Sequence, residues 1–80
     1  MNKTQLLEYL ESNDPVDADQ VADAMQLSYA AAAMALLRLV RQDLASRYVD
    51  PDTRLYEYEL TPKGEARLSY FLEEEKDDER

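Results

Sequence analysis

The chain has 80 residues, no cysteine, no histidine and a formal net charge of −9. This length is enough for one small domain with one hydrophobic core and too short for two. The lack of cysteine and histidine excludes disulfides, thiol nucleophiles, imidazole bases and soft-metal sites, and the residues therefore support neither an enzyme nor a bound cofactor or metal. No stretch has the pattern of a signal peptide or of a membrane span, and we expect a soluble, cytoplasmic protein without membrane association.

The charge is spread unevenly along the chain. Residues 1–26 hold one lysine against six carboxylates, residues 27–72 hold six cations and six carboxylates, and residues 73–80 hold two cations against six carboxylates. The basic residues therefore collect in the second half, where a surface facing nucleic acid would lie. The last segment has no apolar residues to keep it packed, and we expect an acidic, disordered tail over residues 73–80 behind a domain of residues 1–72.

Two short helices are predicted at the start of the chain. The first begins at Asn2, because leucines recur at helical spacing and Gln5 follows Asn2 at the distance of a capping box. A run of turn-forming residues ends it near Ser12. Asp17 and Gln20 repeat the capping-box pattern and begin a second, amphipathic helix. Only a tight turn separates it from the next helix, which is the spacing of a helix-turn-helix.

A longer helix is predicted from Ser28 to Leu44. Ser28 is a good N-cap, and the alanines that follow have the strongest intrinsic preference for helix. Helical phase places five residues on the inward face: Ala32, Leu36, Leu39, Val40 and Asp43. The opposite face is unexpectedly apolar and holds Ala30, Ala33, Met34 and Leu37 beside Arg41, with Arg38 to one side. Either the domain or a partner is expected to cover this second face.

After Leu44 the apolar period changes from that of a helix to that of a strand. Residues 45–49 and 54–61 are predicted as two strands around a proline-containing turn. On the second strand Tyr56, Tyr58 and Leu60 share one face. A Thr-Pro pair then begins the last helix, because threonine is a good N-cap and proline fits the first helical position. Its expected contact side comprises Ala66, Arg67, Tyr70 and Phe71, with Leu68 and Leu72 adjacent.

The segment LASRYVDPDTRLYEYELTPKG, residues 44–64, resembles the wing of bacterial and archaeal regulators of the MarR and PadR type. A leucine ends the long helix, Arg47 opens the first strand, Arg54 follows an aspartate-containing tip, and Leu-Thr-Pro-Lys-Gly closes the second strand. The resemblance implies an α+β, mostly α, winged helix-turn-helix: three helices, a two-stranded β wing and a C-terminal helix. Asp43 stands where that family commonly has glycine, and can adopt the left-handed conformation needed there, though less comfortably.

The resemblance also implies a function, namely a transcriptional regulator that binds double-stranded DNA as a homodimer. The helix from Ser28 would lie in a major groove, and the wing carrying Arg54 would reach a minor groove or the backbone. The candidate DNA-binding residues are Ser28, Tyr29, Arg38, Arg41, Arg47 and Arg54. The first and last helices would make the dimer contacts.

Several alternatives stay open at this stage. The arginines of the long helix either contact phosphates or only solvate it, and Arg54 either meets DNA or pairs with Asp50 or Asp52. Tyr29 either stacks on a base or is a partly buried anchor, which is the favoured reading. The apolar outer face offers few hydrogen-bonding groups for reading bases. A protein-interaction or dimerisation module with little DNA binding is therefore the competing function, with Ala30, Ala33, Met34 and Leu37 as its interface.

Overall fold

The structure, a computed structural model, describes the backbone of residues 2–77 and the side chains of residues 2–74. Its elements follow in the order α1 (Lys3–Asn13), α2 (Ala18–Met25), α3 (Tyr29–Arg41), β1 (Ala45–Val49), β2 (Tyr56–Leu60) and α4 (Pro62–Asp77). The two strands form an antiparallel sheet, and the predicted fold class, a winged helix-turn-helix, is confirmed. Within residues 2–77, none of the helices has both the length and the apolar character needed to cross a bilayer.

α1 and α2 begin with the predicted capping boxes. Asn2 Oδ1 accepts the backbone N–H of Gln5 at 2.9 Å, and the Gln5 side chain accepts the backbone N–H of Asn2 at 3.0 Å. Asp17 and Gln20 make the same reciprocal pair at 2.8 and 2.9 Å. Each box satisfies two backbone donors that a helix start would otherwise leave unpaired. Local sequence therefore determines where both helices begin.

α3 ends earlier than the sequence predicted. Asp43 has the left-handed φ of 61°, and the N–H of Leu44 reaches back to the carbonyl of Leu39 at 2.9 Å. This hydrogen-bond pattern closes a helix, and the last helical residue is therefore Arg41 rather than Leu44. Asp43, expected on the inward face, is exposed because it lies in the turn. α2 ends in the same manner, with Gln26 at a φ of 57°.

The centre of the core is formed by leucines and valines from the helices and the connecting segments. The largest fully buried side chains are Leu6, Leu7, Leu10, Leu36, Leu44, Leu68, Val16 and Val21. On α3, Ala32, Leu36 and Leu39 face inward as predicted, and Val40 is half-buried at the edge of the core. The helical phase assigned to α3 is therefore confirmed over its inward residues.

The wing pairs in the register Ala45↔Leu60 through Val49↔Tyr56. Tyr58 and Leu60 are buried, whereas Tyr56 is 50% exposed although it shares their face of β2. Tyr56 lies at the end of the strand nearest the tip, beyond the reach of the core. The core therefore covers only part of this face of the hairpin.

A short bridge ties the wing to the turn after α1. Val16 and Tyr58 exchange two backbone hydrogen bonds, at 3.0 and 2.7 Å. In the same turn, Asp14 Oδ2 accepts the N–H of Leu60 at 3.3 Å. The sequence did not predict this pairing, because residues so far apart in the chain leave no local pattern. As a result, β2 lies between β1 and the α1–α2 turn.

α4 begins as predicted, since Thr61 Oγ1 caps it by accepting the N–H of Gly64 at 3.0 Å. The helix continues to Asp77, so residues 73–77 of the expected acidic tail extend α4. Glutamate is a good helix former, and extending an existing helix adds a backbone hydrogen bond for each residue that is ordered. Residues 78–80, the rest of the predicted tail, lie outside the described residues.

The predicted contact side of α4 was partly wrong. Ala66 and Tyr70 are exposed, while Leu68 is buried. The cause is the close approach of α4 to the turn between α3 and β1: a Cβ on Gly64 would lie 2.0 Å from the carbonyl oxygen of Leu44. This approach turns the side of the helix that contains Gly64 and Leu68 toward the core, and leaves the opposite side in solvent.

We expect Gly64→Ala to lower the free energy of unfolding by about 1–3 kcal/mol, because the new Cβ would overlap a backbone oxygen. Helix propensity alone predicts the opposite sign, a gain of about 1 kcal/mol. Urea unfolding measures the difference, with Glu65→Ala as the exposed control on the same helical turn. A Gly64→Ala variant as stable as the wild type would contradict the close approach.

Candidate nucleic-acid interface

The outer surface of α3 is narrower than the sequence predicted. Met34 is 45% exposed and Ala30 is exposed, whereas Ala33 and Leu37 are half-buried. Ala33 packs against the edge of the core. The apolar outer surface of α3 is therefore centred on Met34, with Ala30 one turn closer to the start of the helix.

Ser28 and Tyr29 open α3 in different ways. Ser28 Oγ accepts the N–H of Ala31 at 3.1 Å, which confirms the N-cap and leaves the hydroxyl hydrogen available to an outside acceptor. Tyr29 is 58% exposed, so the reading of this residue as a partly buried anchor is wrong. Its ring lines a shallow cleft of about 30 Å³ together with Leu55 and Tyr56 of the wing region. The first turn of α3 therefore lies next to the wing.

Arg38 and Arg41 are exposed on the last turn of α3. A helix carries partial negative charge at its C-terminus, so guanidinium groups at these positions favour the helix itself. Residues three apart on a helix are surface neighbours, with Cβ atoms about 5–6 Å apart. The two arginines thus give one end of α3 a pair of adjacent positive charges.

Arg47 is held against an aromatic ring on the wing. Its guanidinium carbon lies 4.2 Å from the centre of the Tyr56 ring, within the range of a cation–π interaction. Arg47 is on β1 and Tyr56 is on β2, so the contact is diagonal across the hairpin. It orients the guanidinium and covers part of the exposed tyrosine.

Arg54 occupies a strained position at the tip of the wing. Its φ is 63°, a left-handed conformation that costs a non-glycine residue about 1–2 kcal/mol. The N–H of Arg54 donates to the carbonyl of Asp50 at 2.7 Å, and the N–H of Asp50 donates to the carbonyl of Leu55 at 2.9 Å. Asp50 Oδ1 accepts the N–H of Asp52 at 2.8 Å, so this carboxylate fixes the turn through the backbone. The Arg54 side chain is exposed.

Solved structures of other proteins share this arrangement. A mutant of MepR from S. aureus bound to an oligodeoxyribonucleotide is 28% identical, with a TM-score of 0.84 over 95% of this chain and 57% of its own. A MarR family transcription regulator is 26% identical, with a TM-score of 0.84 over 98% of this chain and 54% of its own. A complex of S. aureus MepR with DNA is 26% identical, with a TM-score of 0.80 over 95% of this chain and 56% of its own. No protein-family model matches the sequence, and no curated protein matches it significantly.

The chain is a MarR-like winged helix-turn-helix. The resemblance first seen in the wing segment therefore extends over nearly the whole chain. The chain spans little more than half the length of the three matched proteins. One of these matches is a transcription regulator and the other two are bound to DNA, which agrees with the expectation that the chain is not an enzyme.

Two residues of the MarR-like domain join the candidate interface without having been predicted there. Tyr56 lies under Arg47, and the alternation of the second strand could have shown only which face of the strand it occupies. Lys3 belongs to the acidic first third of the chain, yet its ammonium group donates to the side chain of Gln42 at the end of α3. No sequence signal identifies this contact, because it depends on how α1 packs beside α3.

The wing also brings two carboxylates, those of Asp50 and Glu57, close to each other. Tyr48 O–H donates to Glu57 Oε2 across the two strands at 3.4 Å. Loss of solvation, followed by the charge of Asp50, raises the pKa of the Glu57 carboxyl above its usual value. In the described residues no cluster of three or more carboxylates could hold a metal ion. When both are charged, the carboxylates of Asp50 and Glu57 repel each other and destabilise the folded state.

We expect Glu57→Gln to be more stable than the wild type near pH 7 and no more stable near pH 3, which lies below the ordinary pKa of about 4.3. A raised pKa in the folded state stabilises the fold only while the group is protonated, and this contribution is lost as the pH rises through the folded-state pKa. Thermal unfolding between pH 3 and pH 7 measures the difference in stability between Glu57→Gln and the wild type. Glu59→Gln is the control on the same strand. A difference that is independent of pH would contradict the assignment.

Proposed function

We propose that this MarR-like domain binds duplex DNA as part of a cytoplasmic transcription regulator. The supporting observation is the alignment of 95% of the chain with MepR bound to DNA, which is extensive enough to include both α3 and the wing. In such a complex α3 lies in the major groove, with its first turn toward the base edges. The tip of the wing, with Arg54, reaches the adjacent minor groove or the backbone.

Affinity in this proposal comes mainly from phosphates. Arg38, Arg41, Arg47 and Arg54 are the available guanidinium groups of α3 and the wing, and phosphate contacts of this kind make binding strongly dependent on salt. The stacking of Arg47 on Tyr56 reduces the conformational freedom that this side chain would lose on binding. The negative net charge of the whole chain does not oppose this, because the local field near the groove governs the encounter.

Sequence discrimination is expected to be modest. Base edges are read through hydrogen bonds, and near the start of α3 only Ser28 and Tyr29 offer hydroxyl groups. Ala30 and Met34 are exposed but apolar, and can contact only the methyl group of thymine. In this proposal α3 has few polar groups with which to read bases, while positive charge lies at its C-terminal end and on the wing.

A homodimer is part of the proposal, with α1 and α4 as the contacting helices. Ala66 and Tyr70, first expected to pack inside the domain, are instead on the exposed side of α4, where Tyr70 is 59% exposed. This exposed side supports α4 as a contact between protomers. Two protomers would place two copies of α3 on one duplex, as in two-fold symmetric regulators.

Fluorescence anisotropy with a random-sequence duplex over a salt series tests the proposal. The logarithm of affinity is expected to fall with the logarithm of salt by about 0.9 for each phosphate contact. Arg54→Gly is expected to reduce this slope by about one contact while the turn stays formed, because glycine adopts the left-handed φ of position 54 without strain.

Lys63→Gln removes one exposed positive charge on α4 and is the matched control for Arg54→Gly. It is expected to leave the salt slope unchanged. Absence of binding by the wild type even at low salt would refute the proposed function. A slope that is equal in Arg54→Gly and the wild type would remove the wing from the interface.

The second candidate is a protein-interaction or dimerisation module that uses the outer face of α3. The observation that favours it is Met34, which is 45% exposed at the centre of an apolar surface with Ala30 exposed beside it. Ala33 and Leu37 would form the less exposed margin of this interface. Such a surface suits close packing against another helix, since its side chains are small or flexible.

Light scattering on Met34→Asp and Tyr70→Asp separates the two functions. Each variant places a charge on one exposed surface and leaves the buried core unchanged. If α4 forms the dimer, Tyr70→Asp is expected to give monomers and Met34→Asp to remain dimeric. The reverse result would support the interaction module, because desolvating an aspartate at an interface is strongly unfavourable.

A further inference from the structure

A groove lies between the start of α1 and the second half of α3, away from the wing. Its volume is about 210 Å³, and it is lined by Asn2, Lys3, Leu6, Ala35, Arg38, Leu39 and Gln42. Leu6 and Leu39 are almost fully buried and form its apolar floor. Lys3 and Arg38 are the charged residues of its lining, and both are cationic.

This groove differs in charge from the cleft between α3 and the wing. The cleft near the wing includes Asp17 and Asp19 in its lining, whereas no carboxylate lines the groove at α1. Two cations without an acid among them, beside an apolar surface, hold a positive potential better than the same charges would in open solvent. The groove is therefore suited to an anion.

The position of Lys3 follows from the fold. Lys3 is the first residue of α1, whose start is fixed by the capping box of Asn2 and Gln5. The ammonium group of Lys3 donates to Gln42 Oε1 at the C-cap of α3, which holds it at that helix end. Arg38 precedes Gln42 by about one turn and therefore lies on the same side of α3. An ammonium group makes three hydrogen bonds, so the bond to Gln42 leaves further donors free.

We propose that Lys3 and Arg38 together bind one phosphate of the DNA backbone. This inference rests on the proposed binding of DNA by α3. In the homeodomain, a variant of the helix-turn-helix, the C-terminal end of the recognition helix contacts the DNA backbone beside the groove. We call the pair of Lys3 and Arg38 the α1–α3 phosphate clamp. The clamp fixes the position of the helix on the duplex but reads no base.

The salt dependence of DNA binding tests the clamp. We expect Lys3→Gln to reduce the slope by about 0.9, the value for one lost phosphate contact, and to weaken binding equally for duplexes of different sequence. Lys3→Arg keeps the positive charge and is expected to restore the slope. Lys63→Gln makes the same exchange at a lysine outside the groove and is expected to behave as the wild type. Circular dichroism on all variants checks that the fold is retained.

The outcomes separate this inference from the function on which it rests. Salt-dependent binding by the wild type with an unchanged slope in Lys3→Gln would overturn the clamp and leave the DNA-binding function standing. An equal loss in Lys3→Gln and Lys63→Gln would also overturn the clamp, because it would show only an effect of net charge. If the wild type does not bind the duplex at all, both proposals fail.

Discussion

The junction at Leu44 holds the fold together. Leu44 is fully buried, and its N–H closes the end of α3 on the carbonyl of Leu39. Its own carbonyl accepts the N–H of Thr61 at 3.1 Å and lies against the bare Cα of Gly64. The hydroxyl of Thr61 donates to the carbonyl of Asp43 at 2.6 Å. The end of α3, the start of β1, the end of β2 and the start of α4 therefore meet around the backbone of one residue.

This junction also determines how the candidate interface is presented. It ends α3 at Arg41 and directs the chain into the wing, so that the last turn of α3 with its arginines stays exposed beside the start of α1. It also sets the rotation of α4, which leaves Tyr70 in solvent. The placement of α3, the wing and the proposed dimer surface thus depends on the same few backbone contacts, and on position 64, where only glycine fits.

The parts of the fold that were predictable from sequence are those with local causes. The capping boxes at Asn2 and Asp17, the inward face of α3 and the hairpin all follow from residues near one another in the chain. Apart from the early end of α3, the features that the sequence missed depend on contacts between distant segments. The rotation of α4 depends on Gly64 meeting Leu44 in the turn after α3, and the placement of Lys3 depends on the start of α1 lying beside α3. Neither leaves a periodic signal.

The candidate site shows the same division. The exposure of the arginines could be inferred from helical phase and from the turn, but the stacking of Arg47 on Tyr56 could not. Counting charge by sequence segment is also misleading. Lys3 belongs to the acidic first third of the sequence, but in the folded domain it lines the same groove as Arg38. Local electrostatic fields follow from the fold rather than from the sum of charges.

The backbone bridge between Val16 and Tyr58 has a consequence for how such a domain diverges. Since the wing is hydrogen-bonded to the turn between α1 and α2, its angle relative to α3 is set partly by residues that lie in neither element. A change of length or composition in that turn therefore alters the span between the helix and the hairpin tip while both keep their own sequences. Under the proposed binding of DNA, adaptation to a duplex of different groove geometry is thus open to substitutions remote from every contacting side chain.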